Sequence, residues 1–180
     1  MKERKIRLLN HEELWNYSLK TLGGRAHSIG ELRQKLLRRA AEGNDVTEVI
    51  DRLKESGYLN DSRYAEGFAN ARLANDQLGS ARVVRDLRQR RVAPGLAEET
   101  VREVYREVDE EKLVEEFVRR KYRLASREGL FSEQKDLASA YRRLARAGFR
   151  TGAILKVLKR FAANPDLLDG FEPPADDCEE

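Results

Sequence analysis

The sequence predicts an all-α protein, and three observations carry that prediction. Apolar residues recur three and four apart along most of the chain, and no segment alternates with period two. Proline is rare, and the first of the four is Pro94, so helices in the first half run uninterrupted. The third observation is internal repetition. With Leu36, Leu87 and Leu144 as anchors, Leu32, Val83 and Ala140 stand four residues earlier. Ala41, Val92 and Phe149 stand five later, Ile50, Val101 and Leu158 fourteen later, and Leu53, Val104 and Phe161 seventeen later. Fifteen apolar positions in one register read as three units of roughly 50 residues, the scale of a helical repeat. Helical periodicity supplies part of this match, so three unrelated amphipathic helix pairs is the competing reading.

The elements follow in order. "HEELWNYSLKTL" puts Leu14, Trp15, Leu19 and Leu22 on one side of a first helix that Gly23-Gly24 ends. Ser28 and Glu31 have capping-box spacing and open a second helix through Leu32, Leu36 and Ala40. Glu42-Gly43-Asn44-Asp45 divides it from a third, for which Asp45 and Glu48 offer a capping pair and Gly57 a left-handed stop. The fourth helix, with Tyr64, Ala65, Phe68 and Ala71, is capped by Asp61 or Ser62. The fifth opens at Gly79-Ser80 with Ser80 as N-cap, and Ala93-Pro94-Gly95 separates it from the sixth. "DEEKLVEEFVRRKYRLAS" is the seventh, Phe131-Ser132 opens the eighth, and Gly148 closes it ahead of a ninth. The expected organisation is three tandem three-helix modules, residues 11–59, 60–107 and 108–162. They form an elongated, curved rod, because stacked small units bury more core than one alone. An acidic tail, 163–180, is expected to be disordered.

Charge narrows the function. Net charge is +3, but after Arg160 there is no Lys or Arg, while Asp166, Asp169, Glu172, Asp176, Asp177, Glu179 and Glu180 follow. Without those seven acids the net charge would be +10. A basic body points to an anionic partner. The tail is either a solubilising end or a screen for that body. The one cysteine, Cys178, allows no internal disulfide framework. No signal peptide or membrane span is visible, so a cytoplasmic monomer with no membrane contact is expected.

The cations cluster. "ELRQKLLRR" carries Lys35, Arg38 and Arg39; "SARVVRDLRQRRV" carries Arg82, Arg85, Arg88 and Arg90; "FVRRKYR" carries Arg119, Arg120 and Arg123. Arg142, Arg143, Arg146, Lys156 and Lys159 lie in 137–165, a stretch without an acid. Arg39 and Arg90 share a register position. On a helical wheel Lys35, Arg38 and Arg39 flank the Leu32/Leu36 stripe, and Arg82, Arg85 and Arg90 flank Val83 and Leu87, so these six project outward while their stems cover the rim of the core. The clustered cations together are the candidate partner-binding residues, for an acidic protein groove or nucleic acid. Solvated helix faces with local pairs, such as Glu48 with Arg52, are the alternative, favoured for "DVTEVIDRLKE". Catalytic and metal sites are not proposed. His11 and His27 lack ligand partners, and no C-x-x-C, P-loop or G-x-G-x-x-G occurs. The acids Asp109, Glu110 and Glu111 open a helix, where the dipole favours them. Of the tyrosines, only Tyr122 sits within an arginine cluster, as a base-stacking residue would.

The first module carries a resemblance. "RAHSIGELRQKLLRR" followed by "VIDRLKESGYLNDSRYAEGFANARL" resembles the RecX family, bacterial regulators of the RecA recombinase, through Arg25, Ser28, Glu31, Leu32, Lys35, Leu36, Val49, Ile50, Leu53, Gly57, Tyr58, Leu59, Asp61, Tyr64 and Ala65. "VVRDLRQRRV" and "AYRRLARAGFRTGAILKVLKRF" fit its weaker second and third modules, so the likeness covers residues 11 to 162. It implies three tandem three-helix modules and a non-catalytic protein, without cofactor, that binds the RecA–DNA filament in DNA repair and recombination. Such a protein hinders strand exchange and ATP hydrolysis by RecA, with direct binding to single- or double-stranded DNA as a further expectation. Where many relatives have Gly-Pro before the fifth helix, this chain has Gly79-Ser80. The acidic tail lies outside the family pattern. A basic helical DNA-binding module without a protein target is the alternative.

Overall fold

The computed structural model describes residues 7–122, 131 and 133–163. The acidic tail expected to be disordered, apart from Ala163, and the candidate Arg123 lie outside them. Among the described residues the chain is helical, with nine α-helices: α1 His11–Gly24, α2 Ile29–Leu37, α3 Gly43–Glu55, α4 Asp61–Ala71, α5 Ser80–Gln89, α6 Pro94–Val104, α7 Glu110–Tyr122, α8 Gln134–Arg146 and α9 Thr151–Phe161. A π-helical turn, Arg72–Asp76, continues α4. Strand-type pairing among the described residues is limited to two isolated bridges, Leu9 with Ala40 and Phe131 with Ala162.

The caps differ from the sequence reading in an instructive way. Asn10 and Glu13 form a full capping box on α1 that the sequence reading passed over. Asn60, not Asp61 or Ser62, caps α4, its side chain accepting from Arg63 N–H at 2.9 Å. Asp61 instead reaches a different helix and accepts the Ile29 N–H of α2 at 2.8 Å. Ser28 does cap α2, accepting from Glu31 N–H at 3.0 Å, but the Glu31 carboxylate binds arginines rather than completing the box. α3 starts at Gly43, so Asp45 lies in its first turn and not at a cap. Ser80 is the first helical residue of α5, and the carbonyl of Gly79 takes its first bonds. Pro94 opens α6, where a missing N–H costs nothing.

Of the fifteen apolar register positions, thirteen are buried, which settles that the repeat is one of packing and not only of composition. Val104 is half-buried, and Ala41 is exposed. The exception has a cause. α5 and α8 end on a residue in the left-handed region, Arg91 (φ 62) and Gly148 (φ 89). The next N–H returns to the anchor carbonyl, Val92 to Leu87 and Phe149 to Leu144. α2 has no such residue. Its exit is held by Leu9 instead, whose N–H and carbonyl bond Arg39 O and Ala41 N.

The chain divides into two compact units. The first runs to Phe68 and takes in Asp86–Thr100; the second comprises Ala69–Arg85 and the described residues from Val101 on. Within the first, Leu14, Leu32, Leu36, Val46, Val49, Ile50, Leu53 and Leu59 form one core under α1, α2 and α3. Within the second, residues of α7, α8 and α9, among them Phe117, Leu137, Leu144, Ile154 and Phe161, form another. At roughly 1.5–3 kcal/mol per buried large apolar side chain, each core outweighs any surface ion pair.

Each unit also contains a helix-end junction of the same kind. In the first, the Ser28 hydroxyl at the start of α2 donates to the carbonyl of Arg90 at the end of α5. A Cβ on Gly30 would stand 2.5 Å from that of Arg91, so no larger residue fits without movement. In the second, the Gly79 N–H at the start of α5 donates to the Ala147 carbonyl at the end of α8, at 2.9 Å. A Cβ on Gly79 would stand 2.1 Å from the Gly148 oxygen. Ser28 and Gly79 share a register position, as do Arg90 and Ala147.

Candidate functional site

The junction in the first unit gathers ionisable groups. Glu31 receives Arg90 at 3.4 Å and Arg25 at 3.5 Å, and Arg90 also donates to the Tyr64 hydroxyl at 3.3 Å. The Arg90 guanidinium lies 4.8 Å from the centre of the Phe68 ring. Arg39 lies over Tyr17 in the same way, at 5.3 Å. Tyr17 and Phe68 each stand nineteen residues before their anchors, so this cation–π pair is part of the repeat. His27 is buried beside the junction; its Nδ1 contacts the Arg25 carbonyl at 2.9 Å and its Nε2 has no partner. Burial, and secondarily Arg25 and Lys35, hold its pKa below the ordinary value. Desolvation pushes the Asp61 carboxyl up, against the opposing bond from Ile29.

The structure sorts the candidate cations. Lys35, Arg38, Arg39, Arg85, Arg142, Arg143 and Arg146 make no ion pair among the described residues. Arg143 lies over the Tyr122 ring at 5.4 Å, and Arg146 donates to the Arg142 carbonyl at 3.2 Å. Five others are committed. Arg88 pairs with Glu98, Arg90 with Glu31, Arg119 with Glu115 at 2.7 Å, and Lys156 with Glu111 at 2.9 Å. Arg120 donates to the carbonyls of Asn75 and Asp76. Arg82 and Lys159 each hold a contact as well.

The stretch 137–165 has no acid of its own, yet part of its charge is compensated. α7 packs on α9 and brings acids to it. Glu111 takes Lys156 and Arg160, and Glu110 takes Arg150 at 2.5 Å. Bonds from Lys156 and then Arg160 draw the Glu111 pKa down. The expected Glu48–Arg52 pair does not form: Arg52 lies 4.0 Å above the Trp15 ring, which meets Tyr58 edge-on, and Glu48 faces His11 at 3.7 Å.

What remains uncompensated has a pattern. Lys35 and Arg38 stand one residue before and two after the α2 anchor; Arg143 and Arg146 stand at the same offsets on α8. Arg142 and Arg85 share the position two before. On α5 the other two places hold Asp86 and Gln89. Like charges three and four apart repel, so each cluster costs stability that the nearby helix C-terminus only partly offsets. Such a surface attracts anions. Among the described residues no group of His, Cys, Asp and Glu could hold a metal, and no helix is long and apolar enough to cross a membrane.

An all-α protein whose buried register recurs three times, with cations at equivalent helix positions, belongs to the helical-repeat proteins. Comparison with known proteins says which. Residues 15–53 match the model of the RecX first three-helix domain, and 60–101 that of the second. The chain is 33% identical over 159 residues to the regulatory protein RecX of Deinococcus radiodurans, covering 88% of this chain and 72% of that one. It is 29% identical to that of Trichlorobacter lovleyi, covering 79% of this chain and 92% of that one. The crystal structure of RecX from Lactobacillus salivarius superposes with a TM-score of 0.63 over 84% of this chain and 96% of that one. A second RecX crystal structure gives 0.66 over 83% and 71%. At 17% and 16% identity these two show the shared fold. The chain belongs to the RecX family of regulatory proteins.

Proposed function

We propose that this protein is a non-catalytic regulator in DNA repair and recombination that binds the RecA–DNA filament and restrains RecA activity, ATP hydrolysis included. One observation supports the reading most: the unpaired cations recur at equivalent positions on α2 and α8, with Arg85 on α5. A helical filament presents repeated anionic sites, and a chain of repeated modules engages several at once. We take the modules as residues 11–59, 60–107 and 108–162, acting as a cytoplasmic monomer. Weak contacts at Lys35, Arg38, Arg39, Arg85, Arg142, Arg143 and Arg146 then sum through effective concentration, and binding weakens as salt rises. The remaining candidates, Arg82, Arg88, Arg90, Arg119, Arg120, Arg123, Lys156 and Lys159, take the supporting part.

The test is a titration of RecA ATPase on single-stranded DNA. Inhibition is expected at amounts well below one regulator per RecA subunit, lost when Arg142, Arg143 and Arg146 become Glu. Tight, salt-sensitive binding to bare DNA without any effect on RecA would favour a DNA-binding module instead.

A further inference from the structure

We propose that the arginine face of α8 is the docking site of this chain's own residues 164–180, so that the acidic segment competes with outside anions for Arg142, Arg143 and Arg146. The inference does not depend on RecA. It starts from an imbalance within the second unit. There Arg119, Arg150, Lys156 and Arg160 all have carboxylate partners, supplied by α7. Arg142, Arg143 and Arg146 have none among the described residues, and their spacing sets them against one another. The seven acids between Asp166 and Glu180 have the complementary charge.

Reach and direction favour the same pairing. α9 ends at Phe161, and the next residues are held against the residues that precede α8: Ala163 N–H donates to the Phe131 carbonyl at 3.0 Å, and Ala162 bridges Phe131. The following segment therefore starts beside the N-terminal end of α8. At 1.5 Å per residue, Arg142 to Arg146 lie about 12–18 Å along that helix. A chain advancing by at most about 3.3 Å per residue brings Asp166 within about 10 Å of the start and Asp169 within about 20 Å. Those two reaches span the distance to the arginine cluster, and Glu172 extends the range. Leu167, Leu168 and Phe171, interspersed among them, supply apolar contact that a purely solubilising segment has no use for. Tethering keeps the local concentration of these acids near millimolar, enough for a few weak charge pairs to compete.

Cys178 is the sole cysteine and gives a direct readout on the full chain. A nitroxide attached there should broaden the amide resonances of residues 139–146 at low salt. The broadening should vanish at molar salt and in the variant with Arg142→Glu, Arg143→Glu and Arg146→Glu. A spectrum with α8 unaffected, or equally affected in that variant, overturns the proposal. A second measurement separates docking from bulk charge. Converting the seven acids to their amides should tighten binding to a short oligo-dT strand by roughly fivefold to tenfold, the scale of a tethered competitor. Adding the three α8 substitutions should abolish that gain. A gain that survives them is an effect of net charge alone and refutes the docking site.

Discussion

His27 shows how one side chain couples burial to pH. It is neutral and enclosed at the helix-end junction, with its Nε2 unpartnered, and its pKa lies below the ordinary 6.5. As pH falls below 6.5 the unfolded chain takes up this proton before the folded one, so stability drops between that value and the lower folded pKa. The urea midpoint should therefore fall between pH 7.5 and 5.5, and fall less in His27→Gln. Asp61 works with the opposite sign at lower pH, because its raised pKa lets the folded state take up the proton first. Gly30 tests the same junction sterically. Gly30→Ala forces a Cβ onto Arg91 and should cost about 1–3 kcal/mol, as overpacking does. Gly67→Ala, in α4 with open space around it, should instead gain about 0.5–1 kcal/mol. Equal destabilisation of both in chemical denaturation would show that the contact at Gly30 is not what limits it.

At the scale of elements, α7 divides its two sides between core and charge. Leu113, Val114, Phe117 and Val118 are buried, while Glu110, Glu111 and Glu115 hold Arg150, Lys156, Arg160 and Arg119. The lowered pKa of Glu111 means that its contribution is present above the ordinary 4.5 and lost as pH falls through the folded value. Glu111→Gln should flatten that part of the acid limb in thermal melts between pH 6 and 3, with little change at neutral pH in high salt. It also releases Lys156 and leaves Arg160 with only its longer contact to Glu115 at 3.8 Å, so affinity for an oligo-dT strand at low salt should rise. A fall would mean that Glu111 orients those side chains for an anion rather than sequestering them. The ends of α2, α5 and α8 vary one design: the left-handed stop at Arg91 and Gly148 is replaced after α2 by pairing with Leu9.

Across the whole molecule, the unpaired cations fall in both compact units, Lys35, Arg38 and Arg39 in one and Arg85, Arg142, Arg143 and Arg146 in the other. If both engage the filament, the two sets contribute independently. Changing Lys35, Arg38 and Arg39 to Glu should lower apparent affinity roughly tenfold, as should the α8 triple variant. The combination should lower it roughly a hundredfold, because sites that share no partner add in free energy. A combined effect no larger than either alone would leave one of the surfaces out of the account. The dependence of log affinity on log salt should become shallower in step with the charges removed.

The helices, their approximate limits and the register of the core were legible in the residues. Amphipathic spacing and turn glycines are local properties, and local geometry obeys them. The register even held information that went unread: Tyr17 and Phe68, or Lys35 and Arg143, are equivalent by counting alone. Partnership was not legible. Nothing in "SAYRRLARAG", residues 139–148, or in "LKVLKR", residues 155–160, tells that Lys156 and Arg160 are neutralised while Arg142, Arg143 and Arg146 are not, since the deciding acid, Glu111, stands 45 and 49 residues before the two paired cations, on α7. Likewise Asp61 has the composition of a cap for its own helix and serves another. The sequence by itself determined which residues turn inward, because hydrophobic burial follows a helix's own period. Only the tertiary structure decided which charges remain available, because pairing between charges depends on separation in space and is screened over about 10 Å in salt water.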